Sequence, residues 1–256
     1  MSNLLLEAVD LCKSYEFPDG RKSDVLCGIN LKVNRGEFVS IMGASGSGKS
    51  TLLYSISGMD KITSGKILYN GKNISHMTDK EISKIRLMDM GFVFQKSCLL
   101  KDLTIKENIM LPGIKAGKLN KSEVEKEANR LMDLVGIKAV ADSDINQVSG
   151  GQLQRAAICR GLINKPEMLF CDEPTGALNS SSTLEVMNIL NEIHNSGTSI
   201  VVVTHDAKVA ARAERIIFLS DGNIKDEYTL SKWSSSNKNG EDREYDILQW
   251  LRKNKF

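Results

Sequence analysis

Gly43-Ala44-Ser45-Gly46-Ser47-Gly48-Lys49-Ser50, with Thr51 directly after it, has the residue types and spacing of a loop that holds phosphate. Glycines at 43, 46 and 48 let the backbone curl close to an anion where a β-carbon would intrude. The successive N–H groups then form an anion nest at the positive end of a helix dipole. Lys49 adds a point charge between the outer phosphates, and the Ser50 hydroxyl a ligand for Mg²⁺. The plain alternative is a glycine-rich surface turn that happens to precede a helix. The flanks argue against it: Glu37-Phe38-Val39-Ser40-Ile41-Met42 reads as a buried strand, and Leu52, Leu53 and Ile56 continue at helical spacing. A strand, a glycine turn ending in Lys-Ser and a helix start together predict a nucleoside triphosphate site.

Two further groups could act on the same ligand. Met168-Leu169-Phe170-Cys171 ends in Asp172-Glu173, and ligands on parallel sheets sit beyond the carboxyl ends of the strands. Asp172 can then reach the Mg²⁺ shell through water, and Glu173 can polarise an attacking water as general base. Without a phosphate loop the pair would read as solvated turn acids. Val148-Ser149-Gly150-Gly151-Gln152 supplies a hydroxyl and backbone N–H groups at another helix start, a second anion site. One chain thus carries two phosphate-binding helix starts but one Lys49-type lysine and one Glu173-type acid. Two copies set head to tail would resolve the mismatch, each Ser149 stretch closing on the other copy's nucleotide.

The elements that must position these groups are those of an α/β protein. Ile29, Leu31 and Val33 alternate with Asn30 and Lys32, a half-buried strand. Residues 66–69 followed by Asn70-Gly71 signal a hairpin, so a small antiparallel sheet is expected at this end. Tyr15 is placed just outside the first strand. From about residue 77 to 161 the pattern reads as helical. Asn120 and Glu123 form a capping-box pattern ahead of Val124, Ala128, Leu131 and Val135, and Gly136 stops that helix. A further helix runs from Gly151 to Leu162. Residues 168–171 and 199–203 do not alternate and read as central parallel strands. Val186, Ile189, Leu190 and Ile193 mark the helix between them. Residues 216–219 turn at Asp221-Gly222 into a last hairpin. Ser234-Ser235-Ser236-Asn237-Lys238-Asn239-Gly240 reads as a polar linker. Residues 242–253 then form an amphipathic helix with Tyr245, Leu248 and Leu251 on one side and Trp250 nearby.

At 256 residues, 41% hydrophobic and 26% charged, the chain suits one sizeable domain with an inserted subdomain. The net charge of +2 gives no global drive toward nucleic acid, and none is expected as a partner. Cys12, Cys27, Cys98, Cys159 and Cys171 are odd in number and scattered, which points to a reducing compartment rather than disulfides or structural zinc. No signal peptide is read at the start, and the longest apolar runs are strand-sized, well below the roughly 20 residues that span a bilayer. The expected location is the cytosol unless another protein holds the chain at a membrane.

From about Leu5 to Asn223 the sequence resembles the ABC transporter ATPases, whose signature reads almost as Val148-Ser149-Gly150-Gly151-Gln152, with leucine usual in place of Val148. The resemblance implies a P-loop NTPase core with a mostly parallel central sheet, an N-terminal antiparallel β subdomain and an inserted helical subdomain at about 96–162. It implies an ATPase domain over 1–230, and the residues beyond it are read as a polar linker over 231–241 and a helical tail over 242–256. ATP and Mg²⁺ are the implied ligands. Tyr15 resembles the aromatic that stacks on adenine, and Gln95 the glutamine that touches Mg²⁺ and leads into the helical subdomain. His205 resembles the switch histidine at the terminal phosphate. His76 and His194 lie in polar surroundings that suit a surface role. Asn179, in Gly176-Ala177-Leu178-Asn179, stands where the family usually has aspartate. It keeps hydrogen-bonding capacity without the charge, so crosstalk between the two sites is expected to be tuned differently.

The resemblance also implies a second copy of the chain and a separate integral membrane permease, which would hold the protein at the cytoplasmic face of the membrane. Cys98, Leu99, Leu100 and Leu103 are candidate permease contacts or ordinary core. Leu103-Thr104-Ile105-Lys106-Glu107-Asn108-Ile109-Met110-Leu111-Pro112 and Asp172-Glu173-Pro174-Thr175-Gly176-Ala177-Leu178 are similar to the lipoprotein-release, macrolide-export and bacitracin-resistance branch. Leu248-Gln249-Trp250-Leu251 resembles the ending of bacitracin-type antimicrobial-peptide resistance members. A tail that packs on its own domain is the plainer reading of the same residues. A cell-division relative that regulates wall remodelling and a lipoprotein-release ATPase are the alternatives. DNA-repair relatives would need a long coiled coil between the two phosphate motifs, and translation-factor relatives two such domains in one chain.

Overall fold

The structure is a computed structural model that describes residues 3–233 and 240–254. The part of the expected linker at 234–239 lies outside the described residues. In chain order the elements are β1 (Leu4–Glu16), β2 (Lys22–Asn34), β3 (Phe38–Met42), α1 (Lys49–Ile56), β4 (Ser64–Tyr69), β5 (Lys72–Asn73), α2 (Asp79–Asp89), β6 (Met90–Phe94) and α3 (Ile105–Ala116). They continue with α4 (Lys121–Leu134), α5 (Gly150–Leu162), β7 (Met168–Asp172), α6 (Ser180–Asn195), β8 (Ser199–Val203), α7 (Ala207–Ala210), β9 (Arg215–Ser220), β10 (Asn223–Thr229) and α8 (Gly240–Lys253). The chain divides into two compact units, one running to Ile82 and resuming at Ser199, the other Ser83–Thr198.

The first unit carries the expected antiparallel sheet, in the order β2-β1-β4-β5. Ile29, Leu31 and Val33 are buried and Asn30 and Lys32 exposed, as the alternation required. Tyr15 is inside β1, not beyond it, where it pairs with Ser23 of β2. In the unit's other sheet β3 lies between β8 and β9, parallel to both. β9 and β10 form the final hairpin. All five residues of β3 and of β8 are buried, because the strands are covered on both faces.

The tail helix α8 packs on this unit, with a different face from the one its sequence suggested. Ile247, Trp250 and Leu251 join Met42, Ala207, Ala210, Ala211, Ile216 and Phe218 in one core cluster. Tyr245 is 62% exposed and Leu248 39%. The helical period alone favoured the Tyr245–Leu248–Leu251 row. Packing chose the arc through Arg243, Ile247 and Trp250, since the Trp250 indole N–H can donate to Asp226 Oδ2 at 2.7 Å.

The second unit holds β6 and β7 in parallel, with Phe94 opposite Asp172. β6 corrects the reading of 77–161 as helical throughout. With Met90, Gly91 and Val93 buried and Phe92 and Phe94 half-buried, the five-residue strand is too short to declare an alternation, and helical periods on both sides hide it. Two glycines mark it in retrospect. A β-carbon on Gly91 would overlap the Gly161 carbonyl, so α5 can approach β6 only because both residues are glycine. The capping box on Asn120 and Glu123 forms as expected, and Val124, Ala128, Leu131 and Val135 are buried. The inward face of α6 contains Val186, Ile189, Leu190 and Ile193 but also Asn191 and His194. His194 is therefore core, not surface, whereas His76 is exposed.

Candidate active site

In the first unit, the carboxyl ends of β3 and β8 lie side by side. Ile41 pairs with Val203, and the Thr204 N–H donates to the Ile41 carbonyl at 3.1 Å. The phosphate loop leaves β3 at Gly43, and His205 leaves β8 just after Thr204, so both emerge at one edge of the sheet. A β-carbon at Gly43 would overlap the Leu219 carbonyl of β9, which explains the glycine. Gly48, at φ +98°, is the residue ahead of α1, and no side chain caps that helix. The first N–H groups of α1 thus face the loop without an intrahelical partner, the arrangement that attracts an anion. Lys49 is buried, and its Nζ donates to the Ala44 carbonyl at 2.7 Å, which folds the ammonium across the loop. The Ser47 hydroxyl is buried with no partner among the described residues.

Tyr15 lies on the same unit, half exposed. Its hydroxyl donates to Asp60 Oδ2 at 2.7 Å, and Lys13 Nζ bonds the other carboxylate oxygen at 2.7 Å. Lys13 Nζ also stands 4.5 Å from the centroid of the Tyr15 ring. Burial and the Asp60 carboxylate raise the Tyr15 phenol above its ordinary pKa, against a bond with Thr51 that lowers it. Burial would raise Asp60, but bonds from Lys13 and Tyr15 outweigh it and hold the carboxyl below its ordinary range. Lys13 and Asp60 had no sequence signal, because they meet only when β1 folds against the turn after α1.

In the second unit, Gln95 follows β6 and Glu173 follows β7, again at one pair of parallel carboxyl ends. Glu173 has φ +45°, a left-handed conformation uncommon for a non-glycine residue. Its carbonyl accepts from the Gly176 N–H at 3.1 Å in a tight turn. A β-carbon on Gly176 would stand 2.8 Å from Gln95 Nε2 and 3.2 Å from Glu173 Oε2. Gln95 and Glu173 are thereby brought together, and Asp172 is buried beside them in chain order. Asn179 caps α6, its Oδ1 accepting from the Ser182 N–H at 2.9 Å.

The segment after Gln95 is pinned by residues that motif reading passed over. Asn108 is fully buried, donates to the carbonyls of Leu100, Leu103 and Thr104, and accepts from the Leu100 N–H at 2.7 Å. Arg160 donates to the carbonyls of Ser97 and Cys98, and Gln154 to that of Phe94. Of the candidate contact residues, Leu99 is core and Leu100 is half exposed.

Ser149, Gly150, Gly151 and Gln152 open α5. The Ser149 hydroxyl accepts from the Gln152 N–H at 3.3 Å, and Gln152 Oε1 accepts from the Ser149 N–H at 2.8 Å. This is a capping box, legible as Ser-x-x-Gln, and it leaves the hydroxyl proton able to donate outward. A β-carbon on Gly151 would be 2.9 Å from Ser182 Oγ, so the glycine lets α5 lie close to α6.

These residues fit ATP: a glycine cradle, a lysine across it and an orphan hydroxyl inside it. They fit Mg²⁺ in the way that ion is usually held beside phosphates, by few protein ligands and several waters. Among the described residues, no group of three or more His, Cys, Asp or Glu side chains could hold a metal ion.

A buried strand, phosphate loop and helix, with an acid-ended parallel strand elsewhere in the chain, define a P-loop nucleoside triphosphatase. A family model described as ABC transporter matches residues 26–176, and the chain belongs to that family as an ATP-binding ATPase. The macrolide export ATP-binding/permease protein MacB of Campylobacter fetus subsp. fetus (strain 82-40) is 48% identical over 220 residues, covering 86% of this chain and 34% of MacB. The bacitracin export ATP-binding protein BceA of Halalkalibacterium halodurans is 41% identical over 221 residues, 86% of this chain and 87% of BceA. The lipoprotein-releasing system ATP-binding protein LolD of Aquifex aeolicus (strain VF5) is 44% identical over 209 residues, 82% of this chain and 93% of LolD. The chain thus spans about a third of the length of MacB and most of BceA and LolD. Among solved structures, the dimeric bacterial ABC transporter cassette MJ0796 has a TM-score of 0.83 at 39% identity, covering 90% of this chain and 100% of that one. A post-hydrolysis dimer of MJ0796 with ADP and Pi has the same TM-score at 38% identity.

Proposed function

We propose that the chain is the ATP-hydrolysing subunit of a transporter whose membrane-spanning permease is a separate protein, and that it works as a head-to-tail pair at the cytoplasmic face of the membrane. The phosphate loop carries this reading: a helix start without a side-chain cap, with Lys49 folded over it. No helix among the described residues is long and apolar enough to cross a membrane, so a permease has to be supplied by another chain or segment.

Each residue then has a chemical task. Backbone N–H groups of Gly43, Ala44, Ser45, Gly46, Ser47, Gly48, Lys49, Ser50 and Thr51 hold the phosphates, and Tyr15 stacks on the adenine. Stacking on an aromatic is worth about 1–3 kcal/mol per base in single-stranded nucleic-acid complexes. Ser50, Gln95 and, through water, Asp172 would hold Mg²⁺, which would supply charge neutralisation on the phosphates. Glu173 accepts a proton from water as the water oxygen attacks the terminal phosphorus in line and the bond to the bridging oxygen breaks, releasing ADP and phosphate, while Lys49 and His205 hold the oxygens that gain charge. Ser149, Gly150, Gly151 and Gln152 of the second copy close the far side of the nucleotide. Because Asn179 is neutral and already engaged as a helix cap, signalling between the paired sites depends less on charge than where aspartate stands.

The cargo we infer is an antimicrobial peptide of the bacitracin type, released by force transmission through the permease. The match to BceA along most of both chains supports this. Lipoprotein release is the second reading, favoured by the similar reach of the match to LolD. A Glu173→Gln chain with saturating MgATP is expected to run as a dimer in light scattering, with residues 149 and 45 of opposite copies close enough to cross-link through introduced cysteines. A monomer under those conditions overturns the paired engine. Purification with a multi-span membrane protein tests the permease, whose extracellular domain separates peptide resistance from lipoprotein release and wall remodelling.

A further inference from the structure

The helix α8 is the last described element, far in sequence from every phosphate motif, yet it covers the backs of two of them. Ile247, Trp250 and Leu251 pack with Met42, the residue immediately before Gly43. The same three pack with Ala207, Ala210 and Ala211, in and just after the single turn α7 that follows His205. Arg243 adds polar anchors: its guanidinium donates to the Ala213 and Ser231 carbonyls at 2.8 Å each. Trp250 closes the other end through Asp226 and an edge contact with Phe218.

A helix of one turn does not hold its shape alone, because nucleation costs more than its few hydrogen bonds return. α7 has an Asp206 cap on the Lys208 N–H, two backbone bonds from Ala210 to Asp206 and from Ala211 to Ala207, and an alanine face with little side chain of its own. The apolar area that could fix α7 comes in large part from α8. The segment Thr204–Asp206, which carries His205, is tied to β3 on one side by Thr204 and to α7 on the other.

We infer that α8 is a positioning strap for the catalytic edge: Ile247, Trp250 and Leu251 set α7, and through it His205, while leaving the nucleotide loop itself intact. This rests on the role proposed above for His205. The strap acts through α7 more than through Met42, because β3 is also held by β8 and β9 along its length, whereas α7 has no comparable ladder.

The test uses the full chain and three single variants, Trp250→Ala, Trp250→Phe and His205→Ala, with the Trp250→Ala/His205→Ala double. In Trp250→Ala, kcat is expected to fall about tenfold, within the roughly 10²-fold that a 1 Å misplacement can cost, with KM for ATP changed less than about threefold. Trp250→Phe keeps the apolar contact and should recover most of kcat. In the His205→Ala background the Trp250→Ala change should add no further loss. Hydrogen exchange supplies a readout independent of turnover: the Ala210 and Ala211 amides should lose protection in Trp250→Ala while those of residues 52–56 keep theirs. Unchanged kcat and unchanged exchange at 210–211 overturn the strap. So does a uniform loss of protection across both segments, which would make α8 a general stabiliser. A His205→Ala chain with normal kcat would instead remove the catalytic role of His205, and the exchange result would still decide whether α8 holds α7.

Discussion

The Gln95 amide and the Glu173 carboxylate both close on Gly176, standing 2.8 and 3.2 Å from the point where that glycine lacks a β-carbon. The ends of two strands, Phe94 and Asp172, 78 residues apart by numbering (172 − 94), thereby share one small gap. The first prediction follows from it. Gly176→Ala puts a methyl against the far end of the flexible Gln95 side chain and against a carboxylate oxygen. Both can move by a few tenths of an ångström, so the melting temperature should change little. Their aim should suffer more, and kcat is expected to drop about tenfold, toward the roughly 10²-fold typical of misplaced groups. Steady-state kinetics beside a thermal melt checks this; a fall in both together would show a folding defect instead.

Glu173→Gln keeps the size and one acceptor of the side chain but removes the base. ATP binding should be retained and turnover should slow by about 10²–10⁴-fold, the usual worth of a positioned base, or about 3–5 kcal/mol of barrier. Equilibrium binding of a fluorescent ATP analogue and single-turnover hydrolysis measure the two halves. An unchanged turnover rate takes the base role away from Glu173.

The Lys13–Asp60–Tyr15 cluster makes a pH prediction with opposite signs at its two ends. Asp60 is held below its ordinary pKa, so it contributes stability above the ordinary carboxylate range that is lost as pH falls through its folded value. Tyr15 is raised, so its contribution is complete below about pH 10 and lost as pH rises through its folded value. The cluster is part exposed and the stabilisation modest. Asp60→Asn should therefore melt below the native chain at pH 7, and the gap should narrow below about pH 4. A gap that stays constant to pH 3 would show that the carboxylate charge is not involved. The same variant should raise KM for ATP, since an amide leaves one acceptor oxygen where Lys13 and Tyr15 now use two.

Thiol chemistry offers a separate check of the packing. Burial pushes the Cys159 thiol up to about 12, and burial with the neighbouring Asp172 charge pushes Cys171 higher than its ordinary value as well. Thiolate is the reactive form. Cys27 and Cys98 are exposed and Cys12 half-buried. An aromatic disulfide reagent should label Cys27 and Cys98 in the native protein, Cys12 more slowly, and Cys159 and Cys171 only after denaturation. Rapid native labelling at Cys171 would contradict the buried placement of β7.

The phosphate loop, the Ser149 turn and the Asp172-Glu173 strand end could be read from residue order because each works through its own backbone. Glycines, one lysine and a cap act within a few residues of one another, and local chemistry survives in a string of letters. The same holds for the Asn120–Glu123 cap and for the strands at 168–172 and 199–203. β6 is hidden because its five residues, three buried and two half-buried, are too short a run to carry a period of their own, and its sign is the close approach of Gly91 and Gly161. The buried His194 was misread because polar neighbours in sequence are not its neighbours in space.

Residue order alone therefore named the candidates for the chemistry this chain can attempt: the side chains proposed to bear the phosphate, the proton and the charge. Tertiary packing decided which distant residues serve them. Asp60 meeting Tyr15, Arg160 gripping the carbonyls of Ser97 and Cys98, and α8 turning Ile247 rather than Tyr245 inward all depend on contacts between segments far apart in the chain. Such contacts are selected by burial and hydrogen-bond satisfaction over the whole core, and no local spacing rule contains that sum.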